Sequence, residues 1–323
     1  MPFDSLKARI EATPSPSRKL QLGVAVAVLV TQALIAVTGA VVRVTGSGLG
    51  CPTWPQCLPG SMVPEQHPEY ATLNQWIEYG NRLFTGIVGL IAVAAFVLAL
   101  LNKPRSRRYL LLALAMPVGV AIQGGIGGIT VRMDLLWWTV SIHLLASTVM
   151  VWLATLLVHA VPRDDARPGT GNRLVARWLY PQTALLAGIL ITGTMVTGAG
   201  PHGGDPDTPR LDVPVETLAH VHAAFLYAFL AALVLFGFLL RRVSTPPWRR
   251  YQALVAVVLA QGTIGLVQFW TGVPELLVCL HVLGAMSVVT ATASLWCGIR
   301  GYGRKRTEGE DGHVRVAAEP QRT

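Results

Sequence analysis

Two copies of one pattern carry the side chains best suited to bind a metal. Gln123-Gly124 precedes His143, and Gln261-Gly262 precedes His281 at the same spacing, 138 positions further along the chain. In each copy the Gln and the His fall near one end of a charge-poor apolar segment. An ionisable side chain in such a segment marks function by default, because burying it in lipid is costly. Two imidazoles at matching places point to two related ligand sites.

The elements that position them read as membrane helices. The 323 residues are 52% hydrophobic and only 13% charged, too apolar for an ordinary soluble protein. Apolar stretches of about 20 residues, the length that crosses a bilayer as helix, recur at 20–42, 78–101, 109–129, 138–160, 178–198, 217–240, 251–270 and 276–298. The net charge of +9 does not indicate nucleic acid. All but four of the 26 Lys and Arg fall in the two tails and the three loops that eight spans place on one side. The exceptions are Arg43, Arg82, Arg132 and Arg210. This positive-inside bias puts both termini in the cytoplasm of a cell with a multi-pass plasma-membrane protein. The first span follows Arg18-Lys19 and reads as a retained helix, since no small-residue cleavage site follows it. The tail from about 301 onward is polar and reads as disordered.

The fold class is therefore all-α: a polytopic membrane protein with eight transmembrane helices, arranged as two pseudo-twofold-related four-helix bundles. The duplication extends beyond the histidines. Thr38-Gly39 and Thr45–Gly48 (TG, TGSG) in the first half answer Thr192-Gly193 and Thr197–Gly200 (TG, TGAG) in the second. Gln123–Gly127 and Gln261–Gly265 share QGxIG, and Glu78 and Glu216 again stand 138 apart. With an even number of spans per half, the pseudo-axis runs along the membrane normal. The divisions expected are a cytoplasmic tail (1–19), a first half with the substrate site (20–160), a linker (161–177), a second half with the cofactor site (178–298) and a second tail (299–323).

Of eight histidines, His67, His159 and His313 read as solvated, and His202 in GPHGGD has either a turn or a ligand-gating role. His143, His220 and His281 fall in one layer, roughly 5–8 Å below the outer surface by helical rise. Haem is the first ligand to consider, because neutral imidazole is a common axial ligand of its iron and bundle cores receive such ligands from facing helices. His220 is paired with His281, with His222 as the alternative. The choice uses the 138-residue offset, which carries Asn81 onto Ala219, next to His220. The first half then keeps His143 alone as an evident iron ligand. Glu78, placed at the start of the second helix, is either a proton-handling carboxylate near that ligand or a helix N-terminal charge. Arg82 and Arg210 are candidates to hold cofactor propionates, with surface solvation as the alternative. Cys51 and Cys57 form an outer disulfide or remain two thiols, and Cys279 and Cys297 are packing residues too far apart to pair.

These motifs resemble the haem A synthase family, in its bacterial branch. The resemblance rests on VVRVTGSGLGCPTWPQC (41–57), IEYGNR (77–82), QGGIGGITV (123–131), HLLAS (143–147), TGAGPHGGD (197–205), the His220 helix and HVLGA (281–285), and runs from about 20 to 300. It implies an eight-helix haemoprotein that converts haem O to haem A. A ring methyl is hydroxylated twice, and the geminal diol loses water to give a formyl group, for supply to cytochrome oxidase. On this resemblance His220 and His281 hold haem b, His143 faces the substrate haem, Glu78 is the catalytic carboxylate and Cys51–Cys57 is a disulfide. Many members have His where this chain has Asn81, which puts two-histidine ligation of the substrate in doubt. Expected partners are haem O, the bilayer, a haem O synthase, an electron donor and a second copy of the chain. Two other readings compete. A di-haem electron-transfer protein of cytochrome b type explains the histidines but not Glu78 beside a half-vacant site. A transporter predicts polar sites at the midplane rather than near the outer end.

Overall fold

The computed structural model describes residues 11–68, 71–162 and 169–301. His313, most of the C-terminal tail and the first ten residues lie outside the described residues. Eight long helices account for most of the rest: α1 (Arg18–Val44), α2 (Thr72–Leu101), α3 (Arg107–Arg132), α4 (Trp137–Ala160), α5 (Arg173–Ala199), α6 (Val215–Leu240), α7 (Trp248–Trp270) and α8 (Glu275–Arg300). All eight are long and apolar enough to cross a membrane. Their outward faces carry large apolar side chains, with Leu90 73% and Tyr227 68% exposed. Such an inverted surface suits lipid, where backbone groups are satisfied within each helix.

Three helices start on side-chain caps: Ser17 for α1, Ser106 for α3 and Asn172 for α5. Each accepts from first-turn amides that would otherwise lack partners. All eight helices start before the apolar stretches, and four also end beyond them. The largest extension is in α2, which begins at Thr72 rather than 78. Glu78 is therefore nearly two turns inside the helix, and its reading as an N-terminal charge is corrected. The polar residues of this added turn pack under the neighbouring loop: Gln75 is fully buried and Asn74 Nδ2 donates to the Gly46 carbonyl.

We call the end that carries the Cys51–Cys57 loop the outer end. Helices α1 to α4 form a closed ring, each touching the next and α4 returning to α1. Helices α5 and α6 pack closely, as do α7 and α8, whereas α6 and α7 barely meet. The two sets join through α1, α4, α5 and α8. The first core is alanine-rich (Ala25, Ala92, Ala95, Ala99, Ala113, Ala154), which lets helix backbones approach closely. The second is built from larger side chains, including Phe229, Leu233, Phe236, Leu254 and Met286. Both cores lie toward the inner end. In α6 no residue between Leu218 and Phe229 is buried, in α7 none beyond Val258, and in α8 none between Val278 and Met286. A layer of loose packing therefore sits between the inner core and the outer rim.

Candidate functional site

The repeated Gln-Gly…His pattern is a three-part contact. Gln123 Nε2 donates to the carbonyl of His143 (3.3 Å) and to Ser147 Oγ (2.6 Å), while Gln261 Nε2 donates to the carbonyl of His281 (2.8 Å). One turn further along α3 and α7, a glycine lies under each imidazole. A Cβ at Gly127 would stand 3.4 Å from His143 Cε1, and one at Gly265 would stand 2.9 Å from His281 Cε1. The glutamine thus fixes helix register and the glycine admits the ring. Nδ1 of both rings is buried without a hydrogen-bond partner. Such atoms are rare in folded proteins and mark places where another group completes the site.

The partner of His281 is His222. Their ring centres are 6.5 Å apart at an interplanar angle of 59°. Two imidazoles at this spacing could hold one metal ion between them. His222 Nδ1 meets the Ile189 carbonyl at 2.9 Å and Thr192 Oγ1 at 3.3 Å. Donation to a carbonyl fixes the tautomer and leaves Nε2 as the ring nitrogen with an available lone pair, the kind of outer support that metal-bound histidines use. Its ring lies over Gly193 of α5, where a Cβ would stand 3.1 Å from Cε1. The expected pairing of His220 with His281 is corrected on geometry. Two residues on a helix turn through about 200°, so His220 is exposed, with Nδ1 on the Glu216 carbonyl of its own helix (2.7 Å).

The Thr-Gly motif explains the offset. Thr192 contacts His222 in the second half, while Thr38 Oγ1 donates to Asn81 Oδ1 (2.7 Å) in the first. Asn81 thus corresponds to His222, 141 positions on (222 minus 81), and not to Ala219. The 138-residue offset holds for the α3–α4 and α7–α8 pairs but not for α2 and α6, because Asn81 lies 42 positions before Gln123 whereas His222 lies 39 before Gln261.

In the first half, the outer rim is closed by a disulfide loop. Cys51 and Cys57 are bonded and both wholly buried. Glu78, the only acidic side chain buried among the described residues, accepts from the Cys51 amide (2.7 Å) and from Arg82 Nε (3.1 Å) and Nη2 (2.5 Å). Arg82 also donates to the carbonyls of Cys51, Thr53 and Gln56. Trp54 lies against Gly128, next to the glycine under His143, and Arg132 donates to the Trp54 carbonyl. Arg82 was expected to hold a propionate; its donors are instead engaged by the loop. Arg210 donates through Nε and Nη2 to the Thr197 and Gly200 carbonyls, and among the described residues its Nη1 has no hydrogen-bond partner.

Two of the remaining histidines have structural partners. His202 Nε2 meets the Val273 carbonyl (2.8 Å), which ties its loop to the α7–α8 turn and gives it the turn role. His159 is half-buried against Ser294 Oγ (3.3 Å) rather than solvated. His67 is exposed. Neither Cys279 nor Cys297 is in a disulfide. Among the described residues no group of three His, Cys, Asp or Glu side chains converges as a metal cage.

Comparison with known proteins places the chain in a family. The family model described as cytochrome oxidase assembly protein (COX15-CtaA) matches residues 23–201, more than half of the chain. A haem A synthase of Bartonella bacilliformis is 24% identical over 349 aligned positions, covering 88% of this chain and 93% of the relative. A haem A synthase of Shewanella oneidensis is 29% identical over 178 positions, covering 51% and 53%. A protohaem IX farnesyltransferase of Thermus thermophilus is 40% identical over 94 positions, covering 29% of this chain and 14% of that protein.

Proposed function

The chain belongs to the COX15-CtaA family of cytochrome oxidase assembly proteins, and from that membership together with the unequal histidine sites we propose that it is a haem A synthase. In this reading it oxidises a ring methyl of haem O to a formyl group by two successive hydroxylations and loss of water. The similarity to haem A synthases over most of both chains supports the reaction. The observation that carries it is the difference between the halves: His222 faces His281 in one, whereas Asn81 takes that place in the other.

The second half suits a resident haem b. His222 and His281 would hold it, and the loosely packed layer around them would receive it. Haem b, when bound, supplies one-electron redox chemistry between ferric and ferrous iron. His222 contributes a fixed tautomer through the Ile189 carbonyl. Gln261 holds the His281 backbone and leaves the ring free to bind.

The first half suits the substrate. His143 would face haem O from α4, and Asn81 leaves the opposite side without a second imidazole, so substrate is held on one side and can leave. Glu78 would take up protons released on oxidation of the methyl group, and with Arg82 it holds the Cys51–Cys57 loop over the rim. This loop excludes water from the reacting face. The four-helix halves (20–160 and 178–298) are thus proposed as substrate and cofactor domains, both set toward the exterior, with both termini cytoplasmic. The match to part of a protohaem IX farnesyltransferase supports a partner that acts on the same porphyrin class. Expression of the chain with a source of haem O, followed by pigment extraction, tests the reading. Haem A is expected beside haem b; recovery of haem O and haem b alone would remove the enzyme.

A further inference from the structure

Both TGxG turns end at the junction between the halves. The Gly48 amide donates to the Gly204 carbonyl (2.8 Å), and the Leu211 amide donates to Gly198 (3.0 Å), so the second turn wraps over the first. Beneath them lies a narrow crevice, lined by Arg43 of α1, Trp137 and Ser141 of α4, and Thr194, Thr197 and Arg210 on the α5 side.

Two guanidinium groups meet there on one acceptor. Arg43 Nη2 (3.0 Å) and Arg210 Nη2 (2.7 Å) both donate to the Thr197 carbonyl. Neither has a carboxylate within ion-pair distance among the described residues, where the ion pair is Arg82 with Glu78. No acidic side chain lines the crevice. Its hydroxyls do not offset the charge: Ser141 and Thr194 both donate to carbonyls of their own helices. Gly203 leaves room for the second guanidinium, since a Cβ there would stand 2.6 Å from Arg210 Nη1. Burial lowers the Arg210 pKa from its ordinary value. A partly buried pair of like charges costs stability unless a counter-charge completes it, and Arg has five donors arranged to receive a carboxylate or phosphate.

We propose that the Arg43–Arg210 crevice is an anion site that takes one carboxylate or phosphate group at the outer junction of the two halves. Two sources carry that chemistry at this depth: a propionate of a bound haem and the headgroup of an anionic lipid. The first rests on the function proposed above; the second does not. The crevice lies between Leu144, next to His143, and Thr194, next to the glycine under His222. A propionate there would reach from either half.

The experiment uses the full chain in phosphatidylcholine nanodiscs, with Arg43→Gln and Arg210→Gln beside the wild type. One arm counts phosphatidylglycerol bound at increasing lipid ratio by native mass spectrometry. The other follows loss of haem b, or of its dimethyl ester, to excess apomyoglobin. A propionate occupant predicts about tenfold faster loss of haem b in both variants and no change for the ester. A lipid occupant predicts about tenfold weaker phosphatidylglycerol binding with haem loss unchanged. Wild-type behaviour of folded variants in both arms overturns the proposal. Arg43→Lys keeps the charge if the Gln variants do not fold, and a wild type that binds neither anion also overturns it. A chain that carries no haem breaks the functional reading but leaves the lipid arm decisive.

Discussion

The two halves use one set of parts and arrive at different sites. Each has a glutamine gripping the carbonyl of the following histidine and a glycine under the ring. Each also has a threonine on the neighbouring helix that reaches across. In the second half that threonine meets His222; in the first it meets Asn81. Packing differs as well. Helices α2 and α3 are closed against each other and roofed by the disulfide loop, while α6 and α7 touch mainly near the inner end, where the Tyr251 hydroxyl donates to the Leu233 carbonyl. The scaffold can therefore stay constant while ligand number and access are set by one side chain and one loop.

The largest effect should come from removing either facing imidazole. His222→Ala or His281→Ala should cut retained haem by roughly 10–100-fold or more, while His220→Ala leaves it unchanged; pyridine haemochrome content of purified protein reads this. If His220→Ala loses the pigment and His222→Ala does not, the geometry of α6 is wrong. In the other half, Glu78→Gln should slow haem A formation by about 10²-fold with haem b retained, checked by timed pigment extraction. Full activity would leave Glu78 with its loop contacts alone. Asn81→His should make the halves alike: the absorption and EPR spectra of substrate-loaded protein should move to a two-imidazole low-spin form, and turnover should fall. An unchanged spectrum would show that Asn81 does not face the substrate iron. Smaller again, Cys51→Ser should cost roughly 2 kcal/mol of stability, seen as a lower thermal midpoint without loss of haem b. The smallest contrast lies under the rings. Gly265→Ala should cost about 1–3 kcal/mol through the His281 ring, whereas Gly127→Ala, with its looser 3.4 Å contact, should cost less; haem retention against denaturant compares them.

Much of this was legible before any coordinates. Eight spans followed from apolar length, and the doubled Gln-Gly…His pattern marked two of the three inward histidines, because helical rise alone sets their depth. The choice between His220 and His222 was not legible from the offset, since the chain from Asn81 to Gln123 is three residues longer than that from His222 to Gln261. Facing is decided by angle around the helix, and the informative signal was the Thr-Gly pair, whose contacts join Thr38 to Asn81 and Thr192 to His222. The start of α2 was missed because Thr72, Asn74 and Gln75 interrupt its apolar run, yet Gln75 is buried under the roof they support. The arginines looked like free outer cations; only coordinates reveal that backbone carbonyls already engage Arg82 and Arg210.

The glutamine clamp grips main chain, so it works whatever residue occupies the clamped position. Losing an imidazole there would erase a ligand without loosening the helix pair that carried it. A clamp of this kind gives either half latitude: the side chain at the clamped position can change while the helix pair persists.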